Sequence, residues 1–232
     1  MCSRLTSVRS RCETSASGGP LVPEIACGKM KCIRRATRAD AAEIYSLRLS
    51  EYMRAEEFRL AEPTILLWNE RDDRDGVLTA WDKSNDPIST MRGGIARTKQ
   101  EAEERIKCTL PNEYAFPALL LDRGATKEEH RGRALNSALR YYFFLASLNL
   151  PISSVLGAVY EKAPRVNTMM SLGYTLFAPA RNRQTHLLAD RPLLITYLQG
   201  SKIQDACDRL KTLAHSALDD YPWQGDPLQF NL

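Results

Sequence analysis

The chain has 232 residues, 44% hydrophobic and 26% charged, with a formal net charge of +4. That length suits one domain with extensions and is ample for a sizeable core. The charge is mild and comes largely from the first 38 residues, which argues against a nucleic-acid surface, and no apolar run approaches the ~20 residues of a membrane helix. The six cysteines and three histidines are scattered without zinc-ligand spacing, so no metal is expected. The N-terminus has no apolar signal core, and reduced thiols in the cytoplasm are the expectation.

Residues 1–30 are rich in Ser, Arg, Gly and Cys and read as a flexible tail. A strand is predicted over Cys32–Ala36. Thr37 then offers an N-cap, with Asp40 three residues on, and a helix follows from residue 38 to about 60. Ile44, Tyr45 and Leu47 form its apolar side, and Arg48 and Tyr52 stack at i, i+4. Ile65–Trp68 is a short apolar segment of undecided type. Residues 69–76, with Asp72, Asp73 and Asp75, read as a mobile loop or a substrate lid, and carboxylates in such clusters are usually solvated. Val77–Trp81 and Ile88–Ala96 are predicted as an antiparallel pair, with Gly93 and Gly94 marking a bulge or twist. Thr98–Cys108 is a charged helix.

The stretch from residue 114 to 149 organises the rest. Ala118–Leu121 is a short apolar run that suits a buried strand. A polar turn leads to a helix in which Ala134, Ala138 and Tyr142 repeat beside Leu135, Leu139 and Phe143, giving one wide apolar face. Gly132 stands at the turn-to-helix junction. The free N–H groups there, with Arg131 and Arg133 alongside, make a natural anion site, although basic residues near a helix start also occur as plain solvated surface. The turn is neither a Walker loop nor a three-glycine dinucleotide fingerprint. Ser153–Val159 is a second β-branched strand. Ala163–Leu172 is a short helix closed by Gly173, and Tyr174–Phe177 is a further strand. Leu187-Leu188 and Leu193–Tyr197 are late strand candidates. From Ser201 to about Leu218, Ile203, Cys207, Leu210, Leu213 and Ala214 fall at helical spacing, and the remaining tail is irregular. This order predicts an α/β (α+β) fold: one domain over residues 31–200, with a mixed, mostly antiparallel central sheet flanked by helices, then a C-terminal helix and tail over 201–232.

The same order, with the turn Arg131-Gly132-Arg133-Ala134-Leu135-Asn136 and the segment Met169-Met170-Ser171-Leu172-Gly173-Tyr174, resembles the GCN5-related N-acyltransferase superfamily. Ala134 and Asn136 replace motif glycines, and Met169 stands where a general-acid Tyr is often found. Three further places are similar to the branch that holds N-acyl amino acid synthases and acyl-homoserine-lactone (autoinducer) synthases: Leu47-Arg48 followed by Tyr52; Ser89-Thr90-Met91-Arg92; and Leu121-Asp122-Arg123-Gly124-Ala125-Thr126. Leu120 falls where that branch often carries its catalytic Glu.

The resemblance implies acyl transfer from a thioester, on acyl carrier protein or coenzyme A, to a small amine or amino acid. It implies that Leu121, Arg123, Gly124 and Ala125 line the pantetheine arm, that Arg131, Gly132, Arg133, Ala134 and Asn136 cradle the pyrophosphate, and that Arg48, Tyr52, Arg92 and Arg123 hold substrate. The chemistry needs a straight thioester, a route for the amine proton and donors for the oxyanion. Asp122 or Glu113 is the base candidate, directly or through water; for Asp122 an ion pair with Arg92 or Arg123 is the alternative. The three arginines suit a carboxylate or phosphate, or equally salt bridges to the acidic stretch around Asp72 to Asp75. Tyr141, Tyr142, Phe143 and Phe144 either line an acyl tunnel or belong to the core. A long-chain N-acyl amino acid synthase-like enzyme is the leading expectation, with an acetyl-CoA N-acetyltransferase or a catalytically silent acyl-binding protein as alternatives.

Overall fold

Eight strands form one sheet in the order β6-β7-β5-β4-β3-β2-β1-β8, in a computed structural model that describes residues 30–54, 63–161, 163–178 and 193–230. In chain order the elements are β1 (Cys32–Arg35), α1 (Ala41–Arg54), α2 (Glu70–Arg74), β2 (Gly76–Trp81), β3 (Pro87–Ala96), α3 (Lys99–Ile106), β4 (Ala118–Thr126), α4 (Leu135–Ser147), β5 (Ser154–Tyr160), α5 (Arg165–Ser171), β6 (Thr175–Phe177), β7 (Leu193–Gln199), α6 (Ile203–Leu213), α7 (His215–Asp220) and β8 (Trp223–Gln224). The pairs β4–β5 and β1–β8 are parallel and the others antiparallel. The predicted tail up to Lys29 and the Leu187-Leu188 strand lie outside the described residues.

Period-two alternation sorts β4 between two cores. Leu119 and Leu121 join the cluster under α4 and α6, with Leu135, Leu139, Phe143, Leu210 and Tyr221. Ala118 and Leu120 join a second cluster on the opposite face, with Leu110, Tyr114, Leu156 and Ile195. β3 is buried along its whole length, as a strand with a helix or loop on either face must be. The predicted Thr37–Asp40 capping pair forms, the Asp40 carboxylate accepting the Thr37 N–H at 2.8 Å, but it caps a 3-10 turn over Arg38–Asp40 that leads into α1.

Four expectations change. The acidic stretch is not a solvated loop: Asn69 caps the short helix α2, accepting the Arg71 N–H at 3.0 Å, and the Asp72 carboxylate accepts back from the Asn69 N–H at 3.0 Å. Gly93 and Gly94 mark no bulge, since their pairing with Leu121 and Leu120 is regular. They permit close approach instead: a Cβ on Gly93 would stand 2.6 Å from Phe143, and one on Gly94 would stand 2.3 Å from the Asp75 carboxyl carbon. α4 begins only at Leu135, because Gly132 (φ 77°) and Ala134 (φ 56°) are left-handed and interrupt the helix. The C-terminal segment is no loose appendage. α6 breaks at Ala214 into α7, β8 pairs with β1, and Tyr142 and Phe143 pack against Trp223 and Phe230. Phe143 and Phe144 are fully buried and Tyr141 and Tyr142 pack against the same core, so these four rings belong to the core rather than to a tunnel.

Because Leu210 is wholly buried and Leu213 on the same helix is 49% exposed, Leu210→Ala should lower unfolding free energy by about 2–5 kcal/mol and Leu213→Ala by less than about 0.5. Urea denaturation of the two variants checks this.

Candidate active site

Parallel pairing of β4 with β5 runs from Ala118 opposite Ser154 to Leu121 opposite Gly157, and there it stops. β5 continues alongside β7 as far as Tyr160, while β4 continues alongside β3 to Thr126. The two parallel strands therefore diverge past Leu121 and open a wedge. At the same point β4 is bulged. Arg92 faces Asp122 and Thr90 faces Ala125, so Arg123 and Gly124 together oppose Met91, and Arg123 takes the left-handed φ of 52°. A bulge raises local twist and re-aims side chains, which is consistent with the splay. Gly157 sits at the last point of contact, where an added Cβ would lie 3.1 Å from the Leu121 carbonyl oxygen.

The bend before α4 keeps its backbone bare at Gly132, where a Cβ would meet nothing within 4 Å. Arg133 is exposed. Arg131, half exposed, is engaged instead, donating to the buried Glu51 of α1 at 2.8 Å.

On the α1 face of the sheet, beside the wedge, lies a buried ionic network. Asp72, wholly buried, receives Arg48 at 3.0 Å, Arg123 at 2.9 Å and Arg92 at 3.4 Å. Asp122 receives Nε and Nη2 of Arg92, each at 2.7 Å, and Arg71 at 3.0 Å. Four guanidiniums thus share two carboxylates. Arg48 is completely buried, and its Nε and Nη2 have no hydrogen-bond partner. Arg123 also donates to the carbonyls of Leu67 and Ile65, which ties down the segment between α1 and α2. Burial, with the neighbouring charge of Arg92, brings the Arg123 pKa down to about 10. Tyr52 stands near this network and its phenol is raised by burial.

These contacts decide several sequence-level expectations. Burial by itself would raise the Asp122 carboxyl, but Arg92, with Arg71 and Arg123, holds it down at about 2. A carboxylate so acidic and so fully paired is a poor proton acceptor near neutrality, and the ion-pair alternative is the arrangement that forms. Glu113 is exposed in the turn before β4, five residues short of Ala118 and at the opposite end of that strand from the wedge. Arg92 and Arg123 spend most of their donors on protein acceptors, so of the predicted substrate arginines Arg48 alone keeps buried donors unused. Asn136 turns its amide toward Gly124 and accepts from Arg140, and so faces the wedge below the bend. Sequence reasoning missed Arg71 and the role of Asp72. The spacing Asn69-x-x-Asp72 is itself a helix-start signature and could have placed that carboxylate at a helix N-terminus. A cleft of about 220 Å³ lies beyond Arg71, lined by Arg74, Asp75, Gly94 and Arg105, and is not beside Arg123.

No protein-family model matches the sequence, and no curated protein matches it. Solved structures do. A CoA-dependent acyl-homoserine lactone synthase, BjaI, with SAM and isopentyl-CoA, is similar over 86% of this chain and 95% of its own at 14% identity, with a TM-score of 0.51. The same synthase with MTA gives 0.52. A structure of histone acetyltransferase HPA2 and related acetyltransferase from Corynebacterium glutamicum is similar over 72% of this chain and 95% of its own at 15% identity, with a TM-score of 0.50. The fold is that of the GCN5-related N-acyltransferases. The structures similar to this chain within that fold include the lactone synthase branch.

Two predictions follow from the network. A carboxyl depressed in the folded state stabilises the fold above its unfolded pKa and loses that effect as pH falls through the folded value. Stability should therefore decline between pH ~4 and ~2, with a shallower decline in Asp122→Asn, as followed by chemical denaturation across that range. Asp72→Asn strips the shared counter-ion from three arginines and should cost about 3–5 kcal/mol by the same measurement.

Proposed function

We propose that the chain is an N-acyltransferase, moving an acyl group from a coenzyme A or acyl carrier protein thioester to the amine of a carboxylate-bearing acceptor, in the manner of a long-chain N-acyl amino acid synthase. The observation that carries this is the wedge past Leu121 and Gly157, set between the bare bend at Gly132 and a buried network with surplus positive charge. The donor arm lies along Leu121 to Ala125, with its phosphates against Arg131 to Ala134 and the first turn of α4. The thioester carbonyl sits where β4 has left β5, so that backbone N–H groups around Asp122 to Gly124 face the developing oxyanion. Arg48, with Tyr52 beside it, draws the acceptor carboxylate toward the network. The amine attacks the carbonyl carbon, the C–S bond breaks and the thiolate departs.

Asp122 serves this reaction by orienting Arg92, and the amine proton leaves through water at the mouth of the wedge. Catalysis then rests on positioning and on fixed donors. Arg133 and the half-exposed Arg131 give the donor side a basic rim that suits an acidic carrier protein. Among the described residues no helix is long and apolar enough to cross a membrane. We place the reaction in the cytoplasm, where such thioesters are made.

The test is turnover of the full chain with acyl-CoA and acyl carrier protein thioesters, acetyl to palmitoyl, against a panel of amino acids. Thiol release and product mass are the readouts. A long-chain amide is the expected product. Arg48→Met should lower kcat/KM for carboxylated acceptors by about tenfold or more, and Glu113→Gln should leave it within about twofold. Turnover confined to acetyl-CoA would replace the long-chain reading, and no thioester consumption with any pair would end the proposal.

A further inference from the structure

Two arginines reach the wedge without an ion pair to Asp72 or Asp122. Arg140 is one helical turn beyond Asn136 on α4, and Arg165 opens α5. Both reach the bulge in β4. Nη1 of Arg165 lies 3.6 Å from the point where a Cβ on Gly124 would stand, and the Asn136 amide nitrogen lies 3.3 Å from that point. Nε of Arg140 donates to Asn136 Oδ1 at 3.1 Å. Burial lowers the Arg140 pKa, the phenol of Tyr174 beside it partly offsets that, and the nearby Arg165 charge lowers it further. Among the described residues no carboxylate pairs with either, in contrast to Arg48, Arg71, Arg92 and Arg123.

That arrangement is costly in the empty protein. Arg140 is only partly exposed, on a helix whose neighbouring positions Leu139 and Phe143 are core. A buried charge without a counter-ion is unfavourable, and a second like charge beside it more so. One oxyanion placed between the two would offset both costs, and guanidinium forks with an amide NH2 match its geometry. The position beside Gly124 is where a ligand threading the wedge must pass.

We propose that Arg140 and Arg165, with Asn136, form an oxyanion-binding station inside the wedge that takes a phosphate or carboxylate of the bound ligand. The identity of that ligand rests on the acyl-transfer reading; the existence of the station does not. The phosphate would come from the donor arm, the carboxylate from the acceptor or from the acyl group itself.

Thermal unfolding and calorimetry of the full chain test this, with inorganic phosphate, coenzyme A, phosphate-free pantetheine and a dicarboxylate as probes. The variants are Arg140→Leu and Arg165→Gln. Phosphate or dicarboxylate should raise the wild-type Tm, and each variant should weaken that binding at least tenfold. Arg140→Leu should keep or raise the Tm of the ligand-free protein, since it removes an uncompensated charge; a purely structural arginine would do the reverse. Loss for coenzyme A but not for pantetheine assigns the station to the donor phosphate, and loss for the dicarboxylate alone assigns it to a carboxylate. Wild-type affinity for every anionic probe in both variants, or a lower ligand-free Tm in Arg140→Leu with its anion response intact, overturns the station. Those results would leave thioester turnover untouched, and anion binding through the arginines without any turnover would do the opposite.

Discussion

One buried carboxylate holds the site in shape. Asp72 receives guanidiniums from α1 and from the paired strands β3 and β4, and so ties the helix to the sheet. Each charge would be expensive alone in so dry a place, and removing a shared carboxylate leaves its arginines uncompensated. The shared carboxylate thereby links α1, α2 and the bulged end of β4. The helix α2 supplies the aspartate through the Asn69 capping arrangement, so a five-residue helix determines the geometry of a sheet many residues away in sequence.

The sheet supplies the opening. Pairing on both sides of β4 would leave no room for a ligand. The bulge at Arg123 and Gly124, with the end of β5 pairing at Gly157, frees one edge of the strand without breaking the sheet. Cationic side chains then stand about that opening: Arg48 with the paired arginines toward α1, Arg140 on α4 and Arg165 on α5. A ligand negative at more than one point suits such a slot, and a neutral one would leave its charges unanswered.

Neither carboxylate named as a candidate base stands unpaired beside the wedge. Leu120 is buried among Tyr114, Leu156 and Ile195. Met169 is buried in the core under α4. Asp122 is held ionised by its arginines, and Glu113 is exposed at the far end of β4. On the proposed reading, what remains is a scaffold that orients reactants and stabilises charge, which suffices for aminolysis of an already reactive thioester.

The amino-acid order by itself determined the local structure: the strand-forming runs, the Thr37–Asp40 helix start, the apolar face of α4, the glycine bend before it, and hence the fold class. Those features depend on neighbours within a turn or two, and a single chain carries that information. It also brought forward Arg48, Arg92 and Arg123, because their motif spacings are local. Tertiary structure alone decided what they touch. Asp72 looks solvated in a run of acids until α2 forms and turns it inward, and Asp122 reads as a base until Arg92 closes on it across a strand pair. Arg140 and Arg165, unremarked in the sequence, come together only when α5 packs beside α4. Charge pairing and pKa depend on distances between residues far apart in sequence, and packing of the sheet against its helices sets those distances.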